Sequence, residues 1–459
     1  MINIKYLRGF IIGISLLIEV SFSVDTSLTF IPFFSTNYFS TGSILHPGQD
    51  GGSILTHFQL GAKKVSGPWS ISGYFKFITS TNLDLKSTYL NPGLSLEHER
   101  GYQNTDDTWF ESSSLMINYN NNEKFSTFFG KDRVNWGIGR SNLILSNNCP
   151  TYPVAGFDWK ISNKLGLEYF IGSLHSQIED TTSTHYIGVG KRKVYFPRSI
   201  AGHRLRYSLT DRISFFAIET VIFGNRKIDE HYLLPFIPFW SMQHSIGDLD
   251  NVQMCGELIW SGQNDLNIYA SLFVDEWRPE WTFKDNNRNW IGYQIGMKKN
   301  KLLKENDQFH AEYTWTDHRV YRHKFPINDS YSYNYSLGFW AGPHAEELLL
   351  YYNLKFDNWG IESSISHVRH GELTKQMLDG QYKDLSYSRY SGNTESRTIF
   401  SSKINKRIVN NKLFISVEGQ WIDWENAGFD PYNPEISGKD ISKFSINIEL
   451  SASTQIFFN

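Results

Sequence analysis

Phe444-Ser445-Ile446-Asn447-Ile448-Glu449-Leu450-Ser451-Ala452-Ser453-Thr454-Gln455-Ile456-Phe457-Phe458 is the stretch that decides the fold. Phe444, Ile446, Ile448, Leu450, Ala452, Ile456 and Phe458 fall on one face, and Ser445, Asn447, Glu449, Ser451, Ser453 and Gln455 on the other. A period of two means an extended strand with one apolar and one polar face. The pattern recurs upstream. Leu266, Ile268, Ala270, Leu272 and Val274 alternate with Asn267, Tyr269, Ser271 and Asp275. Phe309, Ala311, Tyr313 and Trp315 oppose Gln308, His310, Glu312, Thr314 and Thr316, and Leu413, Ile415, Val417 and Trp421 oppose Ser416, Glu418 and Gln420. A strand of a soluble sandwich is about 5–6 residues long. These runs are mostly ten or longer, close to the ~9–11 that a tilted strand needs to cross a bilayer. Trp260, Trp315, Trp359 and Trp421 sit near run ends, where interfacial aromatic girdles form.

Eighteen such runs are predicted: 26–35, 53–64, 67–79, 108–119, 123–131, 156–161, 164–175, 200–209, 212–223, 251–261, 264–275, 288–298, 307–318, 345–356, 359–370, 395–404, 411–421 and 441–458. Residues 332–339 are read as loop, which keeps the strand number even. Short connections (120–124, 162–164, 210–212, 262–265, 357–358, 405–411) alternate with long ones (80–107, 132–155, 176–199, 224–250, 276–287, 319–344, 371–394, 424–440), and 299–306 is intermediate. That is the rhythm of a meander with one trimmed end and one end that displays loops. In hydrocarbon every backbone N–H and C=O needs an internal partner, so strands can span a membrane only as a closed barrel. The expected fold is therefore all-β: a transmembrane antiparallel meander β-barrel of 16–18 strands, with short periplasmic turns and long extracellular loops. Glu168, Arg204, Arg206, Glu219, Glu257, Glu312, Glu418 and Glu449 are expected in the lumen. A secreted propeller fits less well. Hairpins recur every 40–55 residues, but each holds two long strands where a blade needs four short ones, and no signature repeats.

The chain starts with a targeting pattern. Lys5 and Arg8 precede an apolar run, Phe10 to Ile18, and Ser21-Phe22-Ser23 places small residues where a signal peptidase reads. Residues 1–23 are expected to be a signal peptide, residues 24–459 the barrel, and the destination the outer membrane of a Gram-negative cell. No later window approaches 18 uninterrupted apolar residues.

Composition narrows the function. With 44 Lys plus Arg against 47 Asp plus Glu, net charge −3, there is no electrostatic case for nucleic-acid binding. Two cysteines exclude a multi-Cys metal centre; Cys149 and Cys255 are either one disulfide or two isolated thiols. Gly137-Ile138-Gly139-Arg140 lacks a third glycine and a following helix, and His185 stands where the first glycine of a phosphate loop ending at Lys191 would be. His318 and His323 are too isolated to argue for a metal. No cofactor and no catalytic triad is expected.

Polar-aromatic clusters do stand out. Asp275-Glu276-Trp277-Arg278-Pro279-Glu280-Trp281 and Trp421-Ile422-Asp423-Trp424-Glu425-Asn426 each follow a predicted strand end. Sugars are held by an aromatic face against C–H groups, with carboxylates and Arg on the hydroxyls. Trp277, Arg278, Trp281, Asp423 and Trp424 are therefore candidate carbohydrate contacts, against the plainer reading of a girdle with solvated loops.

Phe129-Gly130-Lys131-Asp132-Arg133-Val134-Asn135-Trp136-Gly137-Ile138-Gly139-Arg140, continuing Ser141-Asn142-Leu143-Ile144-Leu145-Ser146, resembles the capsule assembly Wzi family. His203-Arg204-Leu205-Arg206-Tyr207, Phe216 to Gly224, Leu234-Pro235-Phe236, Asp275-Glu276 and Glu312-Tyr313-Thr314 leading to Tyr321 continue the likeness in order, over about residues 109–350. The resemblance implies an eighteen-stranded outer-membrane barrel. Its role would be lectin-like and non-catalytic, holding capsular or exported polysaccharide at the cell surface. The implied partners are that polysaccharide, outer-membrane lipid and other polysaccharide export components. It adds Arg133, Trp136, Arg140 and Asn142 as candidate contacts, where the family-like motif ends. A channel and a barrel enzyme are the other function classes. The enzyme needs a nucleophile and base at the outer rim, and no such pair is visible.

Overall fold

The computed structural model describes residues 28–40, 51–81, 98–101, 108–121, 124–183, 185–186, 191–226, 228–277, 289–374, 376–377, 389–408, 412–433, 435–436 and 438–458. The expected signal peptide lies outside them. Eighteen antiparallel strands form the wall: β1 Leu28–Phe39, β2 Ser53–Ser66, β3 Trp69–Thr81, β4 Thr108–Asn121, β5 Phe125–Asp132, β6 Tyr152–Lys160, β7 Leu165–Glu179, β8 Tyr195–Ser208, β9 Ile213–Gly224, β10 Asn251–Ser261, β11 Leu266–Glu276, β12 Trp290–Asn300, β13 Asp307–Thr316, β14 Ala345–Phe356, β15 Trp359–Gly371, β16 Thr394–Arg407, β17 Leu413–Ala427 and β18 Lys439–Ser453. Each strand pairs with the next, and β1 closes on β18 with Phe33 opposite Ser453 and Phe39 opposite Asn447. Beyond β18, Ile456–Phe458 completes the seam, with Leu28 opposite Phe458. No backbone edge remains at the seam, as a bilayer demands.

Alternation turns into two surfaces. On β18, Phe444 is 63% exposed and faces outward, whereas Ser445 is 1% exposed and faces the lumen. Phe58, Ile71, Leu115, Phe129, Leu258, Leu272, Ile295, Leu348, Ile365 and Phe400 continue the outward apolar belt around the wall. Trp69, Trp159, Trp260 and Trp359 mark its short-turn border. An aromatic girdle at a lipid–water boundary has this arrangement.

Two long connections fold inward. Residues 133–151, between β5 and β6, and 317–344, between β13 and β14, carry Trp136, Leu143, Ile144, Leu145, Val320, Tyr321, Leu337 and Phe339 into one buried cluster with inward-facing Phe170, Ile218, Cys255 and Phe273. The lumen thus has a hydrophobic core made by loops. Cys149 and Cys255 both belong to it as free thiols, which settles the sequence alternatives against a disulfide. Burial pushes the Cys149 thiol up to about 12.

A third connection, 225–250, goes the other way. It contains α1, Phe239–Ser245, and packs on outward-facing Tyr169, Ala201, Val221, Phe223 and Val252. Glu219 is beneath it, accepting the backbone N–H groups of Phe239 and Trp240 at 2.7 and 2.8 Å and lying 2.9 Å from His203 Nε2. The expectation that Glu219 faces the lumen is therefore corrected. Its strand parity matches Phe215 and Val221, which are outward, and the strap explains why a carboxylate is tolerated there.

Candidate functional site

The inward segment 133–151 is hung from the wall by its backbone. Glu312 on β13 accepts the N–H of Ser141 at 2.8 Å and of Arg140 at 3.0 Å, and also bonds the Tyr269 hydroxyl. Gln294 Nε2 donates to the Ser141 carbonyl at 2.6 Å, and the Ser141 hydroxyl donates to Glu347 at 2.7 Å. A buried carboxylate is stable only when it accepts several such bonds. The two inward loops also bond each other. Tyr321 Oη donates to the Leu143 carbonyl at 2.5 Å, and Ser146 Oγ donates to the Gly338 carbonyl at 2.6 Å.

Above this plug, at the long-loop end, lies a cleft of about 870 Å³. Tyr331, Tyr333, Tyr335, Trp340, Phe429, Pro431 and Tyr432 line it, with Gln177, Asn148 and Asn334 adding amides. Tyr331, Tyr333 and Tyr335 stem from the run Ser330-Tyr331-Ser332-Tyr333-Asn334-Tyr335, bent by a short hairpin that pairs Tyr331–Ser332 with Tyr335–Ser336. Arg322 is held between two phenol rings, 4.5 Å from that of Tyr331 and 4.0 Å from that of Tyr432. It donates to Asp329 at 2.6 Å and to the Tyr432 hydroxyl at 2.8 Å. Burial by itself would depress its pKa; the facing phenols and Asp329 outweigh burial and hold it well above the usual arginine value. Burial also pushes Asp329 and Tyr331 up, with Arg322 pulling each back. Underneath, Arg198 donates to the carbonyls of Ile327, Tyr331 and Pro326 at 2.5–2.8 Å, which fixes the loop against β8. His175 stacks on Tyr333 with the rings 4.2 Å apart and 5° from parallel. The arrangement offers ring faces, amides and a fixed cation, the surface that polyhydroxylated ligands require.

None of the residues expected from sequence lines this cleft. Trp277 is an exposed residue just past β11, and Arg278 and Trp281 lie outside the described residues. Contrary to the expectation, Asp423 and Trp424 do not share a loop, because β17 continues to Ala427. Asp423 is exposed on the outer face. Trp424 is buried inside, donating Nε1–H to Glu395 at 2.6 Å. Arg133, Trp136, Arg140 and Asn142 are together on the plug segment. Trp136 is buried edge-on to Phe170, and Arg133 donates to the Asn147 carbonyl at 2.8 Å. Asn142 donates to Asn135 at 2.8 Å, and the Arg140 guanidinium lies 3.8 Å over the Tyr351 ring in a small polar pocket with Glu362, Lys403 and Glu418. The signal for the actual cleft was the tyrosine alternation at 331–335, which sits inside a loop and has no strand context in sequence.

Among the described residues no group of His, Cys, Asp and Glu could hold a metal ion. No family model and no curated protein matches the chain. Among solved structures the chain is similar to Wzi, an outer membrane protein involved in group 1 capsule assembly in Escherichia coli and a carbohydrate-binding β-barrel, at 10% identity and a TM-score of 0.53, over 93% of this chain and 84% of that one. It is equally similar to Pseudomonas aeruginosa OccK3 (OpdO), at 10% identity and a TM-score of 0.50, over 95% of this chain and 97% of that one. Identity this low speaks for the fold alone: the chain is an eighteen-stranded β-barrel of the outer-membrane type.

Proposed function

We propose that this barrel is a non-catalytic polysaccharide-holding protein of the cell surface, acting in capsule assembly or the retention of another exported glycan. The observation that carries the reading is the tyrosine-walled cleft at the long-loop end, with Arg322 fixed between two phenol rings. Aromatic faces stack on sugar C–H groups and a clamped guanidinium bonds hydroxyl or carboxylate oxygens. Loops packed into a hydrophobic core inside the lumen favour holding over passage. Wzi, a carbohydrate-binding β-barrel of similar fold, supports the same reading.

The test is retention of polymer. Cells lacking the protein are expected to shed surface polysaccharide into the medium without making less of it. The Tyr331→Ala/Tyr432→Ala pair is expected to reproduce this while the barrel still assembles; full retention by that variant removes the cleft from consideration. The second reading is a channel. It draws on the polar inner faces of β16–β18, where Ser401, Lys403, Glu418, Asn447 and Glu449 form a hydrogen-bonded ladder beside the pocket that Arg140 of the plug segment enters. Steady conductance of the intact protein in planar bilayers favours the channel; silence favours holding.

A further inference from the structure

The outer surface of β13–β15, at the top of the lipid-facing belt, carries more cation than it neutralises. Trp315 faces outward on β13 and stacks on Tyr293 of β12, with ring centroids 5.1 Å apart. Arg389, from the following long loop, lies 4.4 Å over Trp315 and 4.6 Å from the Tyr390 ring. Its guanidinium donates to the carbonyls of Thr316 and Ala345, at 2.8 and 3.0 Å, and has no acidic partner among the described residues. Arg369, outward on β15, lies 4.3 Å from the same Tyr390 ring. The two guanidiniums are thus within about 9 Å of each other. Among the described residues one carboxylate pairs with either of them: Glu346, 3.5 Å from Arg369 and already accepting the Tyr313 hydroxyl at 2.8 Å. Two residues below Glu346, about 7 Å along the strand, Leu348 is exposed on the same face.

Height decides what such a pair meets. Leu348 and Ile365 belong to the apolar belt, Tyr293 and Trp315 to the aromatic border, and the two arginines stand just above it, on the long-loop side. That is the headgroup level of the outer leaflet. Guanidinium groups keep their charge at any physiological pH; exposed Arg369 can grip phosphate in a bidentate fork, while Arg389, whose Nη groups already donate to Thr316, Ala345 and the Tyr390 hydroxyl, adds its charge alongside. An aromatic shelf beneath them suits the sugar or acyl root of the same molecule. We propose that Arg369 and Arg389, on the shelf of Trp315 and Tyr390, form a site for the phosphate of a phosphorylated saccharide lipid in the outer leaflet. The site is on the outer wall, so it stands or falls independently of the glycan cleft in the mouth.

Native mass spectrometry of the full chain in non-ionic detergent tests it. The probe is a diphosphorylated, acylated glucosamine disaccharide, compared with the same lipid lacking both phosphates and with inorganic phosphate. The intact protein is expected to bind the diphosphorylated lipid in preference to the other two. Arg369→Gln, an exposed change with no buried partner, is expected to weaken that binding about tenfold. Lys164→Gln, which removes one charge at the opposite rim, is expected to leave it unchanged. Three results each overturn the proposal: equal binding of the lipid without phosphates, no loss in Arg369→Gln, or inorganic phosphate binding as tightly as the lipid.

Discussion

His344 stands where the inner loop meets β14, buried at 1% exposure, with its ring 5.1 Å from Tyr390 and nearly parallel to it. Burial, aided by Arg389 and the neighbouring His318 and His370, pushes its pKa down to about 3. Burial with nearby Lys324 pushes His323 of the same loop down to about 4. Below pH 6.5 the unfolded loop takes protons that the folded loop refuses. The contribution is therefore intact above pH 6.5 and is lost as pH falls toward 3–4, by about 1.4 kcal/mol per pH unit per histidine. At pH 5 that is about 2 kcal/mol from His344. Hydrogen-exchange protection factors over residues 317–344, corrected for the pH dependence of the intrinsic rate, are expected to fall between pH 7 and 5, and the His323→Gln/His344→Gln variant to flatten the change. Parallel profiles in both proteins would place the acid sensitivity elsewhere. Nothing in sequence marked these histidines: His318 and His323 drew attention only as a metal pair, because burial of a loop is invisible without its tertiary partners.

Strands were legible wherever lipid dictates their outer face. Every predicted run corresponds to a wall strand, since an acyl-facing residue must be apolar and its neighbour wet. The errors gather at the long-loop ends. β6 starts at Tyr152 rather than 156, β8 at Tyr195 rather than 200, and β17 runs six residues past Trp421. Above the membrane the outer face turns polar, as at Asp423 and Glu425, so alternation loses its apolar marker while the backbone ladder continues. That is why Asp423 and Trp424 were read as one loop pair and are in fact on opposite faces. The inward loops were illegible for a different reason: Leu143, Ile144 and Leu145 are buried consecutively, with no period to detect. Their packing is nonetheless tight. A Cβ on Gly338 would fall well inside contact distance of the Leu143 carbonyl oxygen. Gly338→Val is expected to expel or loosen the plug without opening the wall, seen as new conductance in planar bilayers with unchanged heat-modifiable mobility on gels. Glu312→Ala, which leaves the Arg140 and Ser141 N–H groups without their acceptor, is expected to act in the same direction.

At the scale of the whole molecule, the belt sets the solvent. Leu272 faces outward midway along β11, as the seventh residue of the strand. Leu272→Arg is expected to cost about 2–4 kcal/mol in refolding into lipid vesicles. The same change at inward-facing Ser401, beside Glu418, is expected to cost far less. Equal effects at the two positions would mean that the outer face does not meet hydrocarbon. The strap 225–250 adds an asymmetry: it presents Leu233, Leu234, Phe236, Ile237 and Trp240 where the other walls present strand residues, so one flank of the cylinder is two layers thick.

The seam between β1 and β18 has a temporal meaning. Of the eighteen wall strands, β1 must wait for β18 before its outer edge is answered. Until then two raw edges invite wrong neighbours. Closure is consequently the one pairing that joins residues from opposite ends of the described wall, and losing either seam strand reopens it.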